Sequence, residues 1–189
     1  MSGRAVMVVG CPGSGKSTLA LKLAFGEAGR TLLPVLVLDP GRVSTFNVPR
    51  LERVDDLRAL AYRVWREGGH TVYTPAGEAD FERIFKLVYD LGNVILLVDE
   101  WRFFANAFKV PLPAVLVTRV LRHLNVCVVG TTQSYADVHR SISSIMNELH
   151  VGRCTAPRDL ERLREDHGLK PEEIGVLPQW EFRPIKVGF

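Results

Sequence analysis

No segment of this sequence is both long and apolar enough to predict a membrane span. The most apolar stretch, residues 111–130, contains Arg119, Arg122 and His123. These charged and polar side chains exclude a transmembrane helix there. A signal peptide is also missing from the pattern, because residues 1–4 lead directly into an apolar strand-like run. We therefore expect a cytoplasmic protein and not a secreted one.

Cysteine is scarce. The three cysteines, Cys11, Cys127 and Cys154, are odd in number and far apart in the chain, which excludes a disulfide framework and gives no zinc-ligand spacing. We expect all three to be reduced thiols, as is usual in the cytoplasm.

A strong excess of one charge sign is absent as well, since the formal net charge is +3. Residues 1–100 carry 12 basic and 12 acidic groups, and residues 101–189 carry 12 basic and 9 acidic groups. The whole excess therefore lies in the second half of the chain. Such a charge is compatible with contact to a polyanion but too small to establish one.

Apolar runs alternate with helical periodicity along the whole chain, which predicts an α/β fold with a mostly parallel central sheet flanked by helices. Short connections predict one domain over residues 1–189. The predicted strands are residues 6–9, 34–38, 71–73, 94–98, 126–129, 150–155 and 180–187. The predicted helices are residues 18–24, 54–64, 81–91, 113–123, 138–149 and 159–167.

The first strand and helix are joined by GCPGSGKS, residues 10–17, which matches the phosphate-loop pattern GxxxxGK[ST]. Glycines let the backbone N–H groups wrap around phosphates, Lys16 reaches the β- and γ-phosphates, and the Ser17 hydroxyl ligates Mg²⁺. The loop thus predicts a P-loop NTPase (RecA/ASCE-like) core that binds ATP and Mg²⁺. The predicted nucleotide-binding residues are Gly10, Cys11, Pro12, Gly13, Ser14, Gly15, Lys16, Ser17 and Thr18.

Polar residues follow three further strands, and parallel α/β sheets gather ligands at such carboxyl ends. Asp99 and Glu100 follow an apolar strand in the Walker B manner, with Asp99 in the Mg²⁺ shell and Glu100 polarising the attacking water. Gln133 lies at the carboxyl end of the predicted strand that starts at Val126. It is predicted to sense the γ-phosphate. The fourth strand end, Asp39-Pro40-Gly41-Arg42, is either a functional turn or an ordinary one.

The segments GCPGSGKST, VLVLDPGR, VILLVDE and VVGTTQ together resemble the HerA–FtsK superfamily of P-loop ATPases, over residues 5–167. Members are ring-forming motors that pump DNA. The small size is similar to the genome-packaging ATPases of membrane-containing icosahedral viruses. The resemblance implies a protein that hydrolyses ATP to translocate double-stranded DNA. It implies that the protein acts as a homo-oligomeric ring. It also implies capsid or membrane-vertex partners and a cytoplasmic or virion-associated location.

Ring motors of this kind complete each active site with an arginine from the neighbouring subunit, which neutralises charge on the transferred phosphoryl group. The candidates after Gln133 are Arg140, Arg153 and Arg158. Family members carry a basic residue on the strand after the glutamine helix. The resemblance therefore favours Arg153, which we predict to lie on that strand, with Arg140 second.

Interleaved aromatic and basic residues occupy positions 101–104 and 108–109. They either contact nucleic acid by stacking and phosphate pairing or pack a helix against the sheet. Two other functions also fit the sequence. One is a monomeric kinase of a small metabolite, using Asp39 and Arg42, and the other is a nucleotide-dependent assembly protein that hydrolyses slowly.

Overall fold

A computed structural model describes residues 3–42 and 44–187 of the chain. Met1 and Ser2 lie outside the described residues. They are two of the four residues from which the lack of a signal peptide is predicted. Of the helices within these two ranges, none has the length and apolar character needed to cross a membrane.

The strands and helices alternate along the chain. The strands are β1 (Ala5–Val9), β2 (Val35–Leu38), β3 (Glu52–Val54), β4 (Thr71–Tyr73), β5 (Val94–Val98), β6 (Val126–Thr132), β7 (Glu148–Val151) and β8 (Arg183–Lys186). The α-helices are α1 (Lys16–Thr31), α2 (Leu57–Ala61), α3 (Glu78–Leu91), α4 (Leu112–Arg119), α5 (Leu121–Leu124), α6 (Arg140–Ser143), α7 (Pro157–His167) and α8 (Pro171–Gly175).

Within the described residues, the strands form one eight-stranded sheet in the order β3-β4-β2-β5-β6-β1-β7-β8. Every neighbouring pair is parallel except β7 and β8. The predicted mostly parallel sheet with flanking helices is confirmed. Pro184 lies in β8 at the sheet edge, where a residue without an N–H group is tolerated.

Helices cover both faces because the central strand is apolar on both sides. On β5, Val94, Leu96 and Val98 pack in the core cluster that includes α3. Ile95 and Leu97 pack in the opposite cluster with α1. A buried parallel strand requires this double cover, and the polar residues of the sheet are placed at the strand ends.

Several element boundaries differ from the prediction. The strands at 71–73 and 94–98 are confirmed, whereas β6 continues through Thr132 and α1 begins earlier, at Lys16. The predicted helix over 113–123 is divided at Val120 into α4 and α5. Strand β3 and helix α8 were not predicted.

The predicted helix over residues 138–149 is wrong, since only the four residues of α6 are helical there. Its last two residues, Glu148 and Leu149, pair instead in β7 with Val6 and Met7 of β1. Before α6, the guanidinium of Arg162 on α7 donates to the backbone carbonyls of Tyr135 at 2.9 Å, Ala136 at 3.0 Å and Val138 at 2.7 Å. A buried side chain thus satisfies these carbonyls, and the segment between Gln133 and α6 runs as turns.

The predicted strand over 150–155 is also wrong in its limits, and Arg153 does not lie on a strand. β7 ends at Val151, and its last bond to β1 is the one from the Gly152 N–H to the Val9 carbonyl, at 2.8 Å. Beyond it, the Arg153 carbonyl accepts from the N–H of Cys11 at 2.9 Å. The chain therefore leaves the sheet at Gly152 to bind the phosphate loop.

Candidate active site

The carboxyl ends of four strands meet at one edge of the sheet. In the strand register, Leu38 is paired with Val98, Val98 with Gly130, and Val9 with Thr132. The residues that follow these strands are therefore neighbours, as expected for the ligand edge of a parallel sheet.

The loop between β1 and α1 has the conformation that its glycines permit. Gly13 and Gly15 have φ values of 73° and 87°, in the left-handed region that glycine adopts without steric cost. Left-handed residues between right-handed ones let successive backbone N–H groups converge on an anion. The Lys16 ammonium folds back and donates to the Cys11 carbonyl at 2.9 Å. This conformation of the loop fits a phosphate group.

Lys16 is largely withdrawn from water, with 7% of its surface exposed. Burial lowers the pKa of the Lys16 ammonium, and the carboxylates of Glu100 and Asp99 oppose that shift. A poorly hydrated cation gains strongly from an incoming polyphosphate.

Asp99 and Ser17 are brought together as predicted. The Ser17 hydroxyl donates to Asp99 Oδ1 at 2.9 Å, and the Thr131 hydroxyl donates to the same oxygen at 2.9 Å. Burial raises the pKa of Asp99, while these two hydroxyl groups act in the opposite direction. A hydroxyl and a carboxylate, both hard oxygen donors, fit Mg²⁺, which takes its remaining ligands from phosphate and water.

Glu100 is held in an unusual backbone conformation, with φ 56° and ψ 71°. For a residue other than glycine, this costs about 1–3 kcal/mol and persists only where the surroundings enforce it. Here the Glu100 N–H donates to the Thr131 hydroxyl oxygen at 2.8 Å. Its carboxylate accepts from the Gln133 N–H at 3.0 Å and is 6% exposed as a residue. These hydrogen bonds hold a buried carboxylate beside the loop.

Arg102 is a site residue that sequence reasoning missed. Its guanidinium lies 3.3 Å from the Glu100 carboxylate and donates to the Gln133 side-chain oxygen at 3.2 Å. Arg102 thereby links the two strand ends. The sequence places it only in an aromatic–basic segment, although a cation two residues after the acid pair is a usable signal.

A cleft of about 400 Å³ opens beside these groups. Its walls include Cys11 and Pro12 of the loop, Arg102, Gln133 and Arg158. The volume lies in the range of small-molecule sites. The cleft also has two cationic side chains in its walls, Arg102 and Arg158, which would attract an anionic ligand.

The three arginines predicted as partners of a neighbouring site are spread over the surface. Arg153 and Arg140 are exposed, and Arg140 opens α6 beside a second pocket. Arg158 lines the cleft and lies 3.9 Å from Asp137. The structure thus brings the Arg153 backbone and the Arg158 side chain to the phosphate loop and its cleft, and Arg140 is not among the residues that line this cleft.

The two remaining positions are placed as follows. Thr18 is exposed on α1. Asp39 is fully buried, and the guanidinium of Arg53 on β3 donates to it at 2.8 Å. Because β3 was not predicted, neither was this ion pair, which gives Asp39 a structural partner.

The aromatic residues after Glu100 divide between the two interpretations left open. Trp101 and Phe104 are buried, and the Phe104 ring stacks on Phe81 with centroids 4.1 Å apart. Phe103 and Phe108 are 62% and 93% exposed. Packing therefore explains the first pair, while the second pair is free to meet a partner.

Solved structures share this fold. The genome-packaging NTPase B204 of Sulfolobus turreted icosahedral virus 2, in complex with ATPγS, superposes with a TM-score of 0.82 and 16% identity, over 97% of this chain and 92% of that one. B204 of Sulfolobus turreted icosahedral virus, a DNA-packaging ATPase, gives 0.78 and 16%, over 99% and 94%. The bacterial conjugative coupling protein TrwB gives 0.73 and 14%, over 98% and 82%.

No protein-family model matches the sequence, and a search of curated proteins finds no match. The structural likeness establishes the P-loop NTPase fold expected from the motifs.

Proposed function

We propose that this chain is a single P-loop ATPase domain that hydrolyses ATP to move double-stranded DNA, as the homo-oligomeric ring of a viral genome-packaging motor. The observation that carries the proposal is Glu100. Its buried carboxylate lies next to Asp99 and is held by the Gln133 N–H at 3.0 Å. A carboxylate positioned in this way serves to activate water for hydrolysis, whereas a kinase uses its base on the hydroxyl group of the acceptor.

The reaction assigns one task to each group. Lys16 neutralises the β- and γ-phosphate oxygens, and Ser17 with Asp99 would hold Mg²⁺, which when bound neutralises charge on the same oxygens. The Glu100 carboxylate accepts a proton from water as the water oxygen attacks the γ-phosphorus. The bond from that phosphorus to the bridging oxygen breaks, and ADP and phosphate leave.

Coupling to DNA is proposed for the segment that follows Glu100 directly. The Asn106 side-chain oxygen accepts from the N–H groups of Phe108 and Lys109 at 3.0 and 3.1 Å, which sets Phe108 at the tip of a turn. An exposed aromatic beside a cation suits contact with nucleic acid. In the chain, Arg102 lies between Glu100 and this turn, and its guanidinium contacts the Glu100 carboxylate. A movement of the carboxylate during hydrolysis would therefore be passed to the turn through Arg102.

The structural likeness to a DNA-packaging ATPase and to a conjugative coupling protein supports the choice of DNA as cargo. B204 is described as a DNA-packaging ATPase, and B204 structures contain AMP, AMPPCP or ATPγS. We further propose that Arg153 of each subunit completes the site of its neighbour, and that capsid or membrane-vertex proteins anchor the ring in the virion. The exposed Arg153 side chain, next to its own phosphate loop, suits a position at a subunit boundary.

The test is the steady-state ATPase rate with and without long double-stranded DNA, together with the mass of the assembly at the same protein concentration. The proposal expects a multimer whose rate rises with DNA and with protein concentration, since sites completed by neighbours require assembly. Glu100→Gln gives the background rate. A monomer with a rate that ignores DNA and rises instead with a phosphate-accepting metabolite would contradict it and favour a kinase.

A further inference from the structure

The segment between α8 and β8, residues 178–182, crosses the outer side of the phosphate loop. The Gln179 side-chain amide donates to the Gly13 carbonyl at 3.1 Å. In a loop whose N–H groups converge on phosphate, the carbonyls point away from it. Gln179 therefore contacts the loop from outside and leaves the phosphate cradle open.

Trp180 lies directly on Gly15. A Cβ atom at Gly15 would lie 2.2 Å from Cε3 and 2.5 Å from Cζ3 of the indole, so only glycine permits this approach. The indole is nevertheless 62% exposed. One part of the ring packs on the loop, and most of its surface faces the solvent beside the nucleotide position.

Trp180 is fixed in place by structure on both sides. Its own φ is 71°, a left-handed conformation that a bulky residue adopts only when held. The Glu181 N–H closes a turn onto the Pro178 carbonyl at 3.2 Å. The Phe182 ring abuts Gly152, and β8 then pairs with β7. This is a preorganised platform.

The sheet order gives the direction of the nucleotide. Asp99 and Glu100 follow β5, the phosphate loop follows β1, and Trp180 precedes β8, with the strands in the order β5-β6-β1-β7-β8. The γ-phosphate must lie on the side of Glu100, because the attacked phosphorus belongs there. The nucleoside end of a bound triphosphate then points to the opposite side, where Trp180 stands.

We infer that Trp180 is the base platform of this site and that its indole stacks on the purine ring of the bound nucleotide. The inference rests on the proposed binding of ATP and adds the subsite that receives the base. An indole face suits the π-face of any nucleobase. The phosphate loop then supplies affinity for the polyphosphate, and Trp180 supplies affinity for the nucleoside.

The experiment compares the binding of ATP and of tripolyphosphate to full-length variants by calorimetry, with Mg²⁺ present and without DNA. Trp180→Ala is expected to raise the Kd for ATP by roughly 5- to 150-fold, the loss of one base–aromatic stack. The Kd for tripolyphosphate stays unchanged, and Trp180→Phe retains most of the ATP affinity. Tyr62→Ala removes a comparably exposed aromatic, 59% against 62%, directly after α2 and next to the β3 edge of the sheet, and leaves both constants unchanged.

Four outcomes are decisive. If Trp180→Ala binds ATP as tightly as the wild type, or more tightly because the indole blocks the site, the platform is refuted while ATP binding stands. If Trp180→Ala weakens both ligands equally, the residue only supports the loop, and the inference is wrong. If the wild type binds neither ligand, the proposed function fails and the subsite fails with it. Binding without hydrolysis would leave Trp180 as the platform and overturn only the ATPase.

Discussion

The carboxylate of Glu100 accepts a hydrogen bond from the backbone N–H of Gln133 at 3.0 Å, across 33 positions of the chain. The two residues follow adjacent parallel strands, so the end of one strand orients the acid delivered by the other. A backbone donor of this kind is unaffected by the side chain at 133, which separates the tasks of the two residues and makes them testable one at a time.

Replacing Glu100 by glutamine should stop hydrolysis and keep binding. The amide oxygen still accepts from the Gln133 N–H, but an amide takes no proton from water. We expect the rate constant for phosphate release to fall by about 10²–10⁴, the usual contribution of a general base, with the Kd for ATP within about threefold of the wild type. Hydrolysis at a near-normal rate would remove Glu100 from the role of base.

Arg102 and Gln133 should act as a unit. Gln133→Ala and Arg102→Ala each lower kcat by about tenfold or more, well beyond any change in ATP affinity, because each releases the other from the catalytic edge. In the double variant, the effect should be smaller than the product of the two, with a coupling of about 0.5–3 kcal/mol. Arg102→Lys, which keeps the charge and loses the fork, is the matched control. Strictly multiplicative effects would show that the 3.2 Å contact has no catalytic consequence.

Mixed rings test whether Arg153 acts across a subunit boundary. Arg153→Ala subunits have an intact phosphate loop, and Lys16→Ala subunits have an intact arginine. Each variant alone should be inactive, and their mixture should regain part of the ATPase activity, since some interfaces combine the two intact halves. The control is a mixture of Arg158→Ala and Lys16→Ala subunits. It is compared with the first mixture because Arg158 lines the cleft of its own subunit. A mixture as inactive as its components would rule out Arg153 in trans.

Cysteine reactivity reports on the phosphate loop directly. Burial raises the pKa of Cys127 and of Cys154 to about 12, so both remain protonated and unreactive, whereas Cys11 is partly exposed in the loop. N-ethylmaleimide should modify one thiol per native chain, at Cys11. At an ATP concentration about 100 times its Kd, this labelling should slow by about 100-fold. Cys11→Ser should take up no label, and labelling that ignores ATP would contradict binding at this loop.

The phosphate loop and the acid pair were predictable because their signals are local. The spacing of Gly10, Gly15 and Lys16 sets a turn between a strand and a helix, and an apolar strand delivers Asp99 and Glu100 to its end. Both features are written in consecutive residues. Their meeting followed from the rule that parallel strands end at one edge.

Contacts between distant segments were not predictable in this way. The apolar spacing of residues 138–149 suits a helix, yet Arg162 of α7 binds the Val138 carbonyl and Glu148 pairs with β1. The chain leaves β7 before Arg153, whose carbonyl binds the phosphate loop, and Trp180 meets Gly15 from a segment 165 positions away in sequence. Each of these contacts depends on how a distant segment packs, and the spacing of apolar residues gives no information on that.

The most direct test of the central claim is displacement of a fluorescent third strand from a long DNA duplex, a signal that requires movement along the double helix. We predict that wild-type protein with ATP and Mg²⁺ displaces the third strand progressively with time. Under identical conditions, Glu100→Gln should bind ATP and DNA and displace none. Vigorous ATP hydrolysis without any displacement by the wild type, or equal displacement by Glu100→Gln, would contradict the claim that this site drives DNA movement.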